Sequence, residues 1–280
     1  MVAVAAGCWF LAACGSGTVP NQVLTKPAPV SAPVPVARTT GLWLYRPSSQ
    51  RQSFIVDQSA TIVIRQDTAT RTDTVSSHTE VAFTSTSSAV SGNVNAFLVG
   101  SAGHPAATPP GLTIPFSVHA GYSARALQLD FDAPRDVSNC SSTALTVAQS
   151  LRDLWFRPTD TLRVGTTWED SSSYVICRDG IPLRATARRM FRVTGSVERD
   201  GRTLLEISRM ARTAIDGSGA QFGEAITVSG TGSGQLVYDF DPASGEVVSA
   251  SGTATLDLSM RSRVRTQAIR QTAEIRIGRN

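Results

Sequence analysis

From about residue 55 onward, apolar and polar residues alternate along most of the chain. Ala254, Leu256, Leu258 and Met260 share one parity, and Thr255, Asp257 and Ser259 the other. Farther on, Ile269, Ala273, Ile275 and Ile277 are interleaved with Arg270, Thr272, Glu274 and Arg276. Successive side chains of a strand point to opposite faces, so this period gives a sheet with one apolar and one polar face. Such a sheet must cover its apolar face with a helix, a second sheet or a ligand.

Strands are expected at 60–66, 79–85, 93–99, 125–131, 166–170, 174–178, 183–197, 203–212, 224–229, 234–240, 247–260 and 265–277. Arg199-Asp200-Gly201 reads as a hairpin turn, and Asp241-Pro242-Ala243-Ser244-Gly245 as another. The stretch 104–121, with Pro105, Pro109, Pro110 and Pro115, reads mostly as loop, and Gly230, Gly232 and Gly234 as a loop between two strands. The doublet Arg188-Arg189 interrupts the alternation and reads as a β-bulge. One segment changes period: Leu145, Ala148, Leu151, Leu154 and Trp155 recur every three or four residues between Ser142 and Pro158. This predicts one main helix near 142–156.

A single helix covers a fraction of so many strands. The predicted fold is therefore mainly β: a curved, largely antiparallel sheet or sheets, half-barrel or sandwich-like, with one helix. A weak echo links 126–134 with 235–243, so the halves 41–140 and 157–280 read either as a duplication or as carrying two independent strand-turn junctions.

Composition fits this reading. The 280 residues are 41% hydrophobic, and 62 are Ser or Thr, which suits strands with wet outer faces. The net charge of +4 comes from 25 Arg and the single Lys26 against 22 acids. Most arginines alternate with polar residues, as on a solvated strand face. The densest group, Arg184, Arg188, Arg189 and Arg192, has only Phe191 near it, so no nucleic-acid partner is expected.

The N-terminus reads as an address. Residues 2–13 carry no charge and are too short to span a bilayer, which takes about 20 residues. They end in Leu11-Ala12-Ala13-Cys14-Gly15. This pattern, an aliphatic residue three before a cysteine with small residues between, resembles the lipobox of bacterial secreted lipoproteins. The resemblance implies a signal peptide at 1–13, lipidation of Cys14 as the first mature residue, and a protein exported to the cell envelope. A lipid anchor would hold it on the periplasmic or outer-membrane face. The basic segment that normally opens such a signal is absent before Lys26. Residues 14–40, with Gly15, Gly17, Pro20, Pro27, Pro29, Pro33 and Pro35, read as a tether ahead of a β-rich domain at 41–280.

Cys8 falls in the signal, leaving Cys140 and Cys177. In an exported chain this pair is expected to form a disulfide, closing a 37-residue loop that would stabilise the fold by about 3–4 kcal/mol. A metal pair or a catalytic thiol are the competing readings, and neither cysteine lies in a Cys/His ligand spacing.

No constellation points to catalysis, so no enzyme and no cofactor is expected. His78, His104 and His119 lack helical metal spacing, and there is no Gly-x-Ser-x-Gly elbow or phosphate loop. Asp239, Asp241 and Glu246, and likewise Asp130 and Asp132, resemble loose cation loops but read as turn carboxylates, so no metal is expected. A curved sheet with one helix is distantly similar to the half-barrel lipid-carrier lipoproteins, which hold acyl chains on a concave apolar face. This likeness implies a non-catalytic carrier of a hydrophobic or lipidic ligand. The competing expectation is a structural or assembly lipoprotein that contacts envelope proteins and has no pocket.

Overall fold

The structure, a computed structural model, describes residues 41–86, 88–123, 126–131, 147, 151–178, 180–199, 201–221 and 223–280. Cys8, Cys14, Cys140, the tether and Asp132 lie outside these residues, as does the side chain of Cys177. The expected lipidation and disulfide therefore fall outside them too.

In chain order the strands are β1 (Trp43–Leu44), β2 (Gln52–Gln66), β3 (Ala69–Ser85), β4 (Ala89–Ser101), β5 (His104–Ala107), β6 (Phe116–Ser123) and β7 (Ala126–Phe131). They continue with β8 (Thr161–Leu162), β9 (Thr167–Arg178), β10 (Ile181–Arg199), β11 (Arg202–Gln221), β12 (Glu224–Asp241), β13 (Glu246–Arg261) and β14 (Thr266–Arg279). β1 pairs with β8, and the other twelve form one sheet in the order β3-β2-β14-β13-β12-β11-β10-β9-β7-β6-β4-β5.

The expectation of a mainly β, curved and largely antiparallel architecture is met. β3 also pairs with β4, which curls the sheet back on itself. It is not sealed into a barrel: among the described residues β7 and β9 share one parallel pair, Ala126 with Ser171. Strands from both halves of the chain share this sheet and one buried apolar cluster.

Apolar residues face into the curl. On β10, Ile181, Leu183, Ala185, Ala187, Phe191 and Val193 are buried, while Arg184, Thr186, Arg188, Met190 and Arg192 between them are exposed. This polarity is the reverse of a bilayer-spanning barrel, whose apolar side chains point outward.

Four local expectations are corrected. There is no bulge at Arg188-Arg189; β10 stays in register through both, and the shift comes between Val193 and Gly195. Gly230, Gly232 and Gly234 are not a loop but the middle of β12, paired with β11 and β13 throughout. The stretch 104–121 contains β5 and most of β6. Strands 60–66 and 79–85 are the ends of one long hairpin, β2–β3, turning at Asp67-Thr68. In all four cases ladder hydrogen bonds overrode a local composition signal, because every backbone amide in a buried sheet needs a partner.

Of the helix expected at 142–156, residues 142–146 and 148–150 lie outside the described residues. Val147 is helical and buried, and Leu151–Leu154 form a 3-10 turn. The segment 151–156 enters the curl. Leu151, Leu154, Trp155 and Phe156 are buried in the same cluster as the strands.

Candidate functional site

The interior around this plug is the candidate site, and it is built from both chain halves. Phe156 sits 5.0 Å from the ring of Tyr238 on β12 and 5.2 Å from Phe191 on β10, which stacks on Trp168 of β9 at 5.0 Å. Trp155 meets Phe83 of β3 edge-on at 5.8 Å, and Phe83 stacks on Phe54 of β2. Aromatic pairs of this kind stabilise by about 0.5–1.5 kcal/mol each beyond the area they bury. They seat the plug against opposite walls.

A 3-10 turn four residues long leaves its carbonyls short of intrahelical partners; that of Arg152 accepts one bond, from the Trp155 amide at 3.2 Å. The other donors come from the strands. Arg189 Nη1 donates to the Arg152 carbonyl at 2.8 Å and Nη2 to the Trp155 carbonyl at 3.0 Å. The Tyr238 hydroxyl donates to the Asp153 carbonyl at 2.9 Å. Arg189 also grips Asp170 of β9 through Nε at 2.7 Å and Nη2 at 2.6 Å. Arg209 of β11 reaches Asp153 with Nη2 at 2.6 Å. Arg152 lies over the ring of Tyr174 at 3.6 Å and donates to Ser172 Oγ.

Both strand arginines are 3% exposed. Burial opposes the charge of Arg189 more than any other influence does, yet hydrogen bonding and charge from Asp170 hold its pKa above the ordinary range. Arg209 is likewise raised, with burial opposing and Asp153 supporting the charge. Arg152 is lowered, chiefly by burial. Burial pushes the Tyr238 hydroxyl up to about 12, so it remains a neutral donor.

Beside the arginines runs a row of small residues. Along the hydrogen-bonding direction Arg189 is followed by Ala211, Gly234, Ala254, Ala273 and Ala60 on five successive strands. No side chain in the row exceeds a methyl group, which leaves room for guanidinium groups that span from wall to plug. Arg209 Nη1 lies 3.4 Å from the point where a Cβ on Gly234 would sit. Although they face inward, Ala211, Thr213, Gly232, Gly234, Ala254 and Leu256 are only half-buried. The plug does not cover the whole inner face.

Arg189 was singled out in the sequence with its neighbours but assigned to a bulge; Arg209, Asp153, Asp170 and Tyr238 were not foreseen as a group. One signal was present. The inward parity Leu183, Ala185, Ala187, Phe191, Val193 keeps its phase across Arg189, as Leu205, Ile207, Ala211, Thr213, Ile215 does across Arg209. A bulge would have shifted the phase, whereas a buried charge leaves it unchanged.

The other singled-out residues are not brought together. His78 contacts Asp57 at 2.8 Å and Glu80 at 3.5 Å on the outer face, His119 contacts Ser91 Oγ, and His104 is exposed on β5. Asp239 accepts from Arg199 and Ser249. Asp241 caps the amides of Ala243 and Ser244, and Glu246 accepts from Ser48 and Arg279. Among the described residues no group of His, Cys, Asp and Glu has the arrangement of a metal site. No protein-family model matches the chain, and no curated protein matches its sequence.

Proposed function

We propose that this chain is a cell-envelope lipoprotein, anchored through Cys14, whose curled sheet binds or carries a hydrophobic or lipidic ligand. It acts without catalysis or a cofactor, and segment 151–156 is the part of the interior that yields to the ligand. The observation that carries this reading is the inward-facing band of Ala211, Thr213, Gly232, Gly234, Ala254 and Leu256, which the plug leaves half-buried. Half-buried apolar surface inside a curl is stabilised by anything apolar that fills it, at roughly 25 cal/mol per Å2 removed from water.

The plug's anchorage suits displacement. It is held by hydrogen bonds to its own carbonyls, by ring contacts and by the side chains of Asp153 and Arg152, and the bonds to its carbonyls and rings can be exchanged for bonds to a ligand. The lipobox resemblance supports the anchor, because a tether at 14–40 would keep the domain near a membrane as a source of ligand.

Native mass spectrometry of the chain purified from an envelope extract tests the reading. An adduct of lipid mass that survives dilution and is lost on delipidation is expected. Protein that carries no lipid and takes none up from vesicles would remove the carrier role.

A second reading, an assembly lipoprotein working through protein contacts, is favoured by one observation on the outer face. Met190 and Met210 are directly opposite each other on β10 and β11, with Val237 nearby on β12, and they are 46%, 45% and 43% exposed. Replacing Met190 and Met210 by Ser should abolish any stoichiometric envelope partner recovered by crosslinking. Lipid uptake should be unchanged by the same replacement.

A further inference from the structure

At the plug the guanidinium groups of Arg152, Arg189 and Arg209 gather with the carboxylates of Asp153 and Asp170, and the two strand arginines are the buried members. Tyr174 and Tyr238 add no negative charge, because burial drives both hydroxyls upward. Burying a charge is costly unless it is paired and its hydrogen bonds are made.

The two strand arginines differ in how far they are satisfied. Arg189 uses Nε and both Nη atoms on Asp170 and the plug carbonyls. Arg209 bonds Asp153 through Nη2, but its Nε is buried and has no hydrogen-bond partner. A buried guanidinium donor left unmade costs as much as a lost hydrogen bond to a charged group. The open donor belongs to a side chain lying against Gly234, in the row where Ala211, Gly234 and Ala254 put nothing larger than a methyl group on three adjacent strands. Gly232 and Leu256 extend the half-buried surface one row farther. A flat apolar strip that ends at an unsatisfied cationic donor is complementary to a molecule with an unbranched apolar chain and one oxyanion.

The geometry points to Arg209 as the seat of a single anionic group, a carboxylate or a phosphate, of an amphiphile whose acyl chain lies over Ala211, Gly234 and Ala254. This assignment rests on the carrier reading above and names the class of ligand. The oxyanion accepts from Nε and leaves Arg209 Nη2 on Asp153. A charge-assisted bond in a dry site is among the stronger hydrogen bonds a protein makes.

Calorimetric titration of the full-length chain with dodecanoate, dodecyl phosphate, dodecanol and inorganic phosphate tests it. One or both charged dodecyl probes should bind about ten-fold or more tightly than dodecanol, and the better of the two identifies the headgroup. Arg209→Gln should bring that probe down to the level of dodecanol and leave dodecanol itself unchanged. Dodecanol binding as tightly as the charged probes would overturn the headgroup seat and leave the carrier reading standing. If none of the dodecyl probes binds, with or without phosphate binding, both fall. Should Arg209→Gln fail to fold, as judged by circular dichroism, Ala254→Leu fills the row without touching a charge. It should weaken all three dodecyl probes alike, and unchanged affinities would overturn the placement of the chain.

Discussion

Arg188 and Arg189 are neighbours in sequence and opposites in environment. Arg188 points outward from β10 and pairs with Glu169 in solvent, its side chain 73% exposed. Arg189 points inward, is 3% exposed, and spends four hydrogen bonds on Asp170 and on two carbonyls of the plug. One step along a strand separates a charge that water could serve equally well from a charge that the fold cannot replace. The inner arginine is tolerated because the plug brings carbonyls that need donors. The outer one is simply compatible with a wet face.

Substitutions should widen that contrast. Arg189→Ala leaves the largely buried Asp170 carboxylate without its partner and the Trp155 carbonyl without a donor, and is expected to cost about 3–5 kcal/mol in urea unfolding. A loss below 1 kcal/mol would mean that the plug is not held by this residue. Tyr238→Phe keeps the ring edge-on to Phe156 and deletes the hydroxyl that serves the Asp153 carbonyl and Arg209. It should cost about 1–3 kcal/mol and raise amide exchange in residues 151–156, the second effect separating a plug contact from general destabilisation. Arg188→Ala removes an exposed pair and should change stability by less than about 1 kcal/mol, with that small effect vanishing at high salt.

The smallest expected effect comes from the outer-face His78. Its pKa is raised above 6.5, first by the hydrogen bond to Asp57 against the lesser opposing effect of burial, with Glu80 adding to the rise. A group whose folded pKa is raised stabilises the fold fully below its unfolded value and loses that contribution as pH rises through the folded value. A slight fall in stability is therefore expected as pH rises above about 6.5, and Asp57→Asn should flatten it. A histidine resonance titrating at or below 6.5 would contradict this.

The polar lining separates one end of the interior from the other. Around the plug, rings, arginines and carboxylates are interlocked. At the opposite end Ile62, Ile64, Val75, Leu183, Ile215, Val228, Leu258, Met260 and Ile269 are buried with no charged residue among them. The apolar end follows from alternation alone. The plug end requires knowing which carbonyls of 151–156 meet which strand.

That difference marks how far the sequence could be read. Parity determined the strands, their two faces and the curl, because a strand has a fixed period of two and an apolar face must be covered. The same parity held the positions of Arg189, Arg209 and the β12 glycines, and following the phase on both sides of each would have kept them in their strands. Local composition misled there: two adjacent arginines looked like a bulge and three glycines like a loop. The ladder partners that make them ordinary strand residues lie on neighbouring strands of the sheet, as far away in sequence as Leu258 is from Gly230.

What the sequence by itself determined is a mainly β chain whose apolar residues share one face, since that follows from stereochemistry repeated at every residue. What only the tertiary structure decided is the meeting of Arg189, Arg209, Tyr238 and Asp170 with the turn at 151–156. Those contacts join residues up to 85 positions apart through hydrogen bonds to backbone carbonyls, which every residue carries. No residue type announces an unpaired carbonyl, so its donor can be recognised only where the folded chain brings the two together.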